Sequence, residues 1–324
     1  MRVAQRQVKI YYEAADTMNY TQKFWTYLIH RPSYLVLRAW EWLAPLIPDE
    51  LFLKVKFRLT MGYWMDFTHP TTYNEKLQWL KLYDRRPEYT QMVDKAAVKE
   101  WVAQRIGAQY VIPTIGVWDK AEDVQWSELP NQFVAKVTHD SGGIVVCKDK
   151  ARLDIEAAKK LLNDSLRRDY FALTREWPYK KVPRRIIVEK YMVDESGYEL
   201  KDYKFFCFNG EPKMLFVATD RENPNEETKF DFFDMNFELL PFVNGHKHAK
   251  TTPVKPKGFD RMVEVARQLS KGIPHVRVDL YDINGEVYFG EMTFFHWSGF
   301  VPFEPREWDT EIGKWLILND IHAA

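Results

Sequence analysis

The sequence predicts an α+β fold with an extra helical segment at its N-terminus. Three observations predict it. Apolar residues recur at helical spacing from 74 to 106, strand-like and helix-like runs alternate from 121 to 200, and beyond 200 strands dominate, with Asn-Gly steps joining two pairs of them. Both residues of such a step tolerate the positive φ that a two-residue hairpin turn demands. At 324 residues the chain is long enough for two or three modules and an ample core.

Residues 1–66 form the first unit, rich in aromatic and large aliphatic side chains, with helices expected to break at Pro32, Pro45 and Pro48. YLVLRAWEWL, 34–43, reads as an amphipathic helix with its tryptophans on one side and Arg38 and Glu41 on the other. It suits a helical cap on the main body; the competing reading is contact with a membrane surface through residues 20–66. Residues 67–120 form a helical linking region in which Pro87 separates the helices. A mixed unit, 121–198, follows, with strands in FVAKVTH and GIVVCKD, a helix in LDIEAAKKLLNDSLRRDYF and a strand in RIIVEKYM. The last unit, 199–324, holds the DYKFFCFNGEPKMLFVATDR hairpin, the helix FDRMVEVARQLSKGI and the hairpin HVRVDLYDINGEVYFGEMTF at 275–294.

Lysine plus arginine balances aspartate plus glutamate at 46 each, so no global field favours nucleic acid, and any phosphate site must be local. Cys147 and Cys207 lie far apart in apolar runs, which suits buried thiols in a reducing compartment. The N-terminus lacks an apolar signal core and no window approaches a membrane span. A cytoplasmic protein is expected, with the inner membrane face as a candidate contact.

The residues that carry chemistry are scattered. Asp279 and Glu291, on the two strands of the last hairpin, present a carboxylate pair suited to magnesium, which takes hard oxygen ligands and usually only one or two protein carboxylates. The alternative is a pair of rim charges matched to Arg277 or a lysine. KVTHDSGG, 136–143, ends a strand with Lys136 and turns through Gly142-Gly143, a loop whose amides can cradle phosphate, although strands ending in Gly-Gly turns are common. Lys95 stands at a helix start with Asp94 as its cap, an ordinary surface arrangement by itself. RIIVEKYM ends in Glu189-Lys190-Tyr191-Met192, which reads either as an adenine-edge segment or as an edge strand running into solvent. Lys204 shares a strand face with Asp202 and needs an anion, either a phosphate or Asp202 or Glu211.

In order, NEKLQWLKLYDR (74–85), VDKAAVKEWV (93–102), YVIPTIGVWD (110–119), LPNQFVAKVTHDSGG (129–143), DYKFFCFNGEPK (202–213) and VRVDLYDINGEVYFGEMTF (276–294) resemble the ATP-grasp fold. Within it they resemble the TupA-like branch associated with teichuronopeptide and surface-polysaccharide biosynthesis. The resemblance covers about 74–310. It implies two α+β subdomains clasping ATP, a lid within 121–198 and a metal-binding subdomain within 199–324. It also implies that Lys95 and Lys136 contact phosphates and that the loop His139, Ser141, Gly142, Gly143 closes over them. Glu189, Lys190, Tyr191 and Met192 would then hold the adenosine. Asp279, Glu291 and Thr293 would bind Mg2+, Thr293 standing where many relatives carry asparagine. Lys204 and Arg277 match basic positions near the phosphates. After Phe294 the chain reads FHWSGF, a departure from the Pro-Gly turn of the branch.

The implied activity is carboxylate–amine ligation through an acylphosphate, with a small amine and a carboxylate-bearing sugar or glycan, such as a uronic acid of a capsular or other surface polysaccharide, as partners. His296 either takes a proton from the amine or contacts the acceptor, or is a satisfied structural histidine. A glycosyltransferase and an ATP-dependent sugar kinase are the competing enzyme classes. No Asp-x-Asp motif occurs in 275–294 to favour the first. A binding module without catalysis would tolerate loss of both acids.

Overall fold

In the computed structural model, which describes residues 32–197, 200–221 and 226–318, both Asn-Gly steps turn as their chemistry demands. Asn209 and Gly210 have φ of 51° and 84°, and Asn284 and Gly285 have 58° and 96°. The chain opens with α1 (Pro32–Trp42) and α2 (Asp49–Met61), separated by a 3-10 turn containing Pro45. Then come α3 (Tyr73–Tyr83), α4 (Glu88–Val93), α5 (Ala97–Ile106), β1 (Thr114–Trp118), β2 (Phe133–Val137) and β3 (Ile144–Cys147). Next are α6 (Ile155–Leu166), α7 (Tyr170–Thr174), β4 (Ile186–Lys190), β5 (Asp202–Phe208), β6 (Glu211–Thr219), β7 (Lys229–Asp234) and β8 (Val243–Asn244). The chain continues through α8 (Phe259–Ser270), β9 (His275–Ile283), β10 (Glu286–Thr293), β11 (Phe303–Glu304) and α9 (Glu307–Trp315).

Two antiparallel sheets dominate. The smaller has the order β1-β4-β2-β3 and the larger β10-β9-β5-β6-β7. In the smaller sheet, Phe133, Ala135 and Val137 alternate inward from β2 and pack with Ala158, Leu161 and Leu162 of α6. Asp154 starts that helix by accepting the Ala157 amide at 2.9 Å. β1, which precedes residue 121, pairs with β4 in this sheet; its burial does not alternate cleanly, which hides it from pattern reading.

The larger sheet is buried on both faces. On one, α8 lays Phe259, Met262, Val265, Ala266 and Leu269 against it, and Phe259 meets Phe205 at 6.0 Å between ring centroids. Each such side chain contributes about 1.5–3 kcal/mol by leaving water. On the other face Tyr73 of α3 packs against Phe206, Phe208 and His275. That helix is set by a capping box, Thr72 and Glu75 each satisfying the other's backbone.

The helix expected over 34–43 runs from Pro32 to Trp42, but its tryptophans diverge. Trp40 stacks on Phe52, whereas Trp42 is 81% exposed. Two residues apart on a helix means roughly 200° of rotation, so both cannot share a face. Residues 20–31 of the candidate membrane contact lie outside the described residues. Among the described residues no helix is long and apolar enough to cross a membrane, and both cysteines are buried and free.

Candidate active site

A β-bulge brings the two acids together. From Glu286 to Phe289, β10 pairs with β9 in unbroken register, Phe289 facing Leu280; the register then shifts, and Glu291 faces Asp279. Were Gly290 an ordinary strand residue, strict alternation would send Glu291 to the face of Phe289, against the core. The bulge at Gly290 therefore keeps Glu291 on the site face, opposite Asp279.

Across the sheet the same row continues through Lys204 of β5, paired in register with Asp279. Lys204 forms a short ion pair with Asp279 and a longer one with Asp202 at 3.3 Å. Its expected alternative partner, Glu211, instead binds Arg267. Arg277 grips Asp279 with two nitrogens, Nε to Oδ1 at 2.7 Å and Nη2 to Oδ2 at 2.8 Å. The guanidinium also reaches Glu291 Oε1 at 3.3 Å and Thr293 Oγ1 at 3.1 Å. Asp279 is fully buried, while the Glu291 side chain remains 38% exposed. Both readings of the acid pair thus coexist: the carboxylates share a face, and they are matched by cations.

His296 is buried with both ring nitrogens engaged. Arg277 Nη1 donates to Nδ1 at 2.9 Å, which leaves Nε2–H to donate to Asn244 Oδ1 at 2.9 Å. Burial and then Arg277 push its imidazole well below the ordinary histidine range. That is the arrangement of a structural histidine orienting Arg277, with no nitrogen left to take a proton from an amine.

The opposing cations come from β2 of the smaller sheet, from α5 and from the turn just ahead of that helix. Lys136 pairs with Glu189 Oε2 at 2.5 Å, and Lys99 closes on the other oxygen while donating to the Ile112 carbonyl at 2.6 Å. Glu189 is 5% exposed. Its carboxyl lies below the ordinary range because Lys136 and Lys99 outweigh the burial that raises it. In this state Glu189 is a lysine partner, so the adenosine contact implied for it would need its carboxylate released. Lys95 Nζ donates to the Asp140 carbonyl at 2.7 Å, and Asp94 accepts the amides of Ala96 and Ala97 as a cap. Lys99 lies one turn beyond Lys95, an i,i+4 spacing that could have singled it out.

The 139–143 loop is anchored more firmly than a free flap. His139 turns inward, 2% exposed, with Nε2 facing the Arg168 carbonyl at 3.3 Å, so it is withdrawn from any phosphate. Asp140 binds Arg168 and accepts the Ser141 amide at 2.7 Å. Gly143 has φ of 66°, and a Cβ there would stand 2.4 Å from Ser165 Oγ on α6. Gly143→Ala is accordingly expected to cost roughly 2 kcal/mol, from left-handed strain and the clash together. Urea denaturation checks it, and an unchanged midpoint would refute it.

Between the sheets lies a cleft of about 280 Å³, lined by Val134, Lys136, Glu189, Tyr191, Met192 and Tyr281 among others. Ser141 and Lys190 also reach it. Of the residues implied for adenosine and the loop, only His139 and the two glycines are not on this wall. The electrostatic centre is Glu291. Burial would raise its carboxyl, yet Lys95, Lys204, Arg277 and Lys136 together hold it well below the usual carboxylate range.

Asp279, Glu291 and Thr293 fit magnesium by donor type, since all three offer hard oxygen. Among the described residues no three His, Cys, Asp or Glu side chains converge on one point, so an ion here would draw its remaining ligands from phosphate oxygens and water. Glu291 is the more available ligand. Asp279 has both oxygens in hydrogen bonds, but an ionised carboxylate offers about four lone-pair sites.

Two antiparallel sheets enclosing a cleft, one bearing lysines and a glycine loop and the other acids on a hairpin, define the ATP-grasp class of protein. The chain belongs to the TupA-like ATP-grasp family, whose model matches residues 75–317. Similar solved structures are the D-alanine–D-alanine ligase from Bacillus anthracis complexed with ATP, at 15% identity and a TM-score of 0.37, covering 63% of this chain and 55% of that one. A second is the D-alanine–D-alanine ligase from Helicobacter pylori, at 13% and 0.40, covering 76% and 69%. A third is the ATP-grasp ligase PsnB complexed with minimal precursor, Mg and ADP, at 10% and 0.37, covering 74% and 60%. These likenesses are distant, and the chain spans little more than half the length of the first. No curated protein matches the chain.

Proposed function

We propose that the chain is an ATP-dependent carboxylate–amine ligase. One observation carries the reading: four cations, Lys95 and Lys136 from the lid side and Lys204 and Arg277 from the larger sheet, act on the partly exposed Glu291. A metal-bound triphosphate is the ligand that needs such a balance of charge. Magnesium held by Asp279, Glu291 and Thr293 would neutralise phosphate oxygens and align the γ-phosphoryl group. Lys95 and Lys136 would hold phosphates, with Tyr191 and Met192 flanking the base and Glu189 at the adenosine. Lys204 and Arg277 would steady charge on the transferring group. An acceptor carboxylate oxygen attacks the γ-phosphorus and ADP leaves. The amine nitrogen then attacks the acyl carbon, phosphate leaves, the nitrogen gives up its proton, and an amide remains. The 139–143 loop would shield the acylphosphate from water.

The carboxylate would belong to a uronic acid or similar sugar of a capsular or surface polysaccharide, a reading supported by the six sequence blocks that resemble that branch. Calorimetric titration with Mg2+ and a non-hydrolysable ATP analogue, beside Lys136→Ala, tests the nucleotide site. Product analysis tests the chemistry: ligation consumes the amine and frees phosphate, whereas a kinase leaves phosphate on the sugar. Nucleotide-sugar binding without ATP binding would replace the reading with a glycosyltransferase.

Lys99 is expected to tune nucleotide affinity. If Lys136 must leave Glu189 to meet a phosphate, Lys99→Met leaves Glu189 holding Lys136 alone and more tightly. The analogue should bind about tenfold more weakly, about 1.4 kcal/mol, and Glu189→Gln in the same chain should remove most of that loss. Equal affinity in wild type and Lys99→Met would exclude the competition.

A further inference from the structure

The segment after β10 is held in a costly conformation. Trp297 and Ser298 both take left-handed backbone, with φ of 49° and 55°, and Gly299 follows at 66°. Non-glycine residues in that region are strained and persist where surroundings over-determine them. Here the surroundings come from one face of α3. Asn74, Gln78 and Lys81 stand at helical spacing, each no more than 2% exposed. Asn74 Nδ2 donates to the Val301 carbonyl at 3.3 Å. Gln78 Nε2 donates to the carbonyls of Ser298 and Gly299 at 3.0 and 2.9 Å. Lys81 Nζ donates to the Ser298 carbonyl and hydroxyl, both at 2.8 Å.

What this support presents is Trp297, 40% exposed. Its indole lies against Gly245, where a Cβ would come within 2.9 Å of Nε1. Phe230 stacks with it at 6.0 Å and 25°, and His246 flanks it at 5.8 Å. In register, Phe230 pairs with Ala218 and Ala218 with Asp202, beside the row of Lys204 and Asp279. Two strand spacings, roughly 10 Å, thus separate Phe230 from Asp202, and a shorter link to Arg277 runs through His296, whose ring lies 5.7 Å from that of Trp297 and whose Nδ1 accepts from Arg277 at 2.9 Å.

We propose that Trp297, backed by Phe230 and His246, is the platform on which the pyranose ring of a carboxylate-bearing acceptor stacks, its carboxylate directed toward Lys204 and Arg277. This rests on the ligase reading and names where its acceptor sits. The face of an indole is electron-rich, and the C–H face of a pyranose is its apolar, slightly positive side. A ring of that size covers about half the gap, and an exocyclic carboxylate reaches across the remainder toward the reacting phosphorus. A simple amino acid would leave the indole uncovered.

Saturation-transfer NMR with methyl glucuronide and methyl galacturonide tests this on the full chain, with and without Mg2+ and the ATP analogue. Wild type should saturate the C–H protons of one ring face. Trp297→Ala should reduce that signal at least tenfold and Trp297→Phe should retain most of it, while calorimetry finds the analogue bound equally by all three. Equal ring saturation in Trp297→Ala overturns the proposal, as does absence of any uronide signal in wild type, or saturation only of a phenylalanine dipeptide supplied as competitor. Failure of wild type to bind the analogue would instead sink the ligase reading, and the spectra without nucleotide would still decide whether Trp297 stacks a sugar.

Discussion

Glu291→Gln should lower magnesium-dependent ATP turnover about 10³-fold while leaving the fold intact. The amide keeps the shape and can still face Arg277 and Thr293, now at 3.3 and 3.2 Å from Oε1, and the side chain is exposed enough to need no compensating charge. What disappears is the anion that four cations share. The loss should therefore be selective: the ATP analogue without metal binds at least as tightly as to wild type, because those cations are freed, whereas added magnesium no longer strengthens binding. Loss of one preorganised electrostatic contact commonly costs 10²–10³ in rate, and a metal ligand belongs at the upper end. Phosphate release and calorimetry with and without magnesium measure the two arms. Turnover within tenfold of wild type would remove Glu291 from the metal.

Arg277→Met should be the most destabilising change at the site. Asp279 is fully buried and would lose both hydrogen bonds of its bidentate partner, leaving Lys204 alone against it. His296 would lose its donor as well. Breaking a buried pair by removing one member costs about 3–5 kcal/mol, since the other charge stays desolvated. For a chain of this size that is a fall in Tm of about 4–7 °C. Arg277→Met combined with Asp279→Asn should recover part of the stability and none of the activity. A single variant that melts with wild type would show that the ion pair does not hold the sheet.

Much of the frame was legible because it follows from local chemistry. The Asn-Gly turns, the helix after residue 258 and the strand carrying Lys136 all lie where pattern places them. The site was harder, for identifiable reasons. Period-two reading cannot see the bulge at Gly290, and strict alternation would bury Glu291 beside Phe289; the hairpin reads with both acids on one surface, but the bulge that puts them there was not legible. Lys99 was not singled out at all, because only the fold sets it against Glu189. His139 sits in a loop whose sequence suggests phosphate contact, and only packing shows it turned inward. Lys204 needed an anion, as its place on a core face implied, but the partner chosen was Asp279 from a strand seventy residues away.

The polar stripe on α3 bears on how this protein can be cut. Every residue assigned to phosphate, adenosine and metal lies beyond residue 90, so a shortened chain starting after Tyr83 would retain the complete inventory and look like a self-sufficient module. It would lack the donors that fix residues 298–301, and with them the packing of Tyr73 on the sheet beneath Arg277. Such a fragment would carry the right residues on an unsupported floor. Excision or grafting of this site therefore has to begin ahead of the capping box at Thr72, even though no residue proposed for nucleotide or metal lies in that helix.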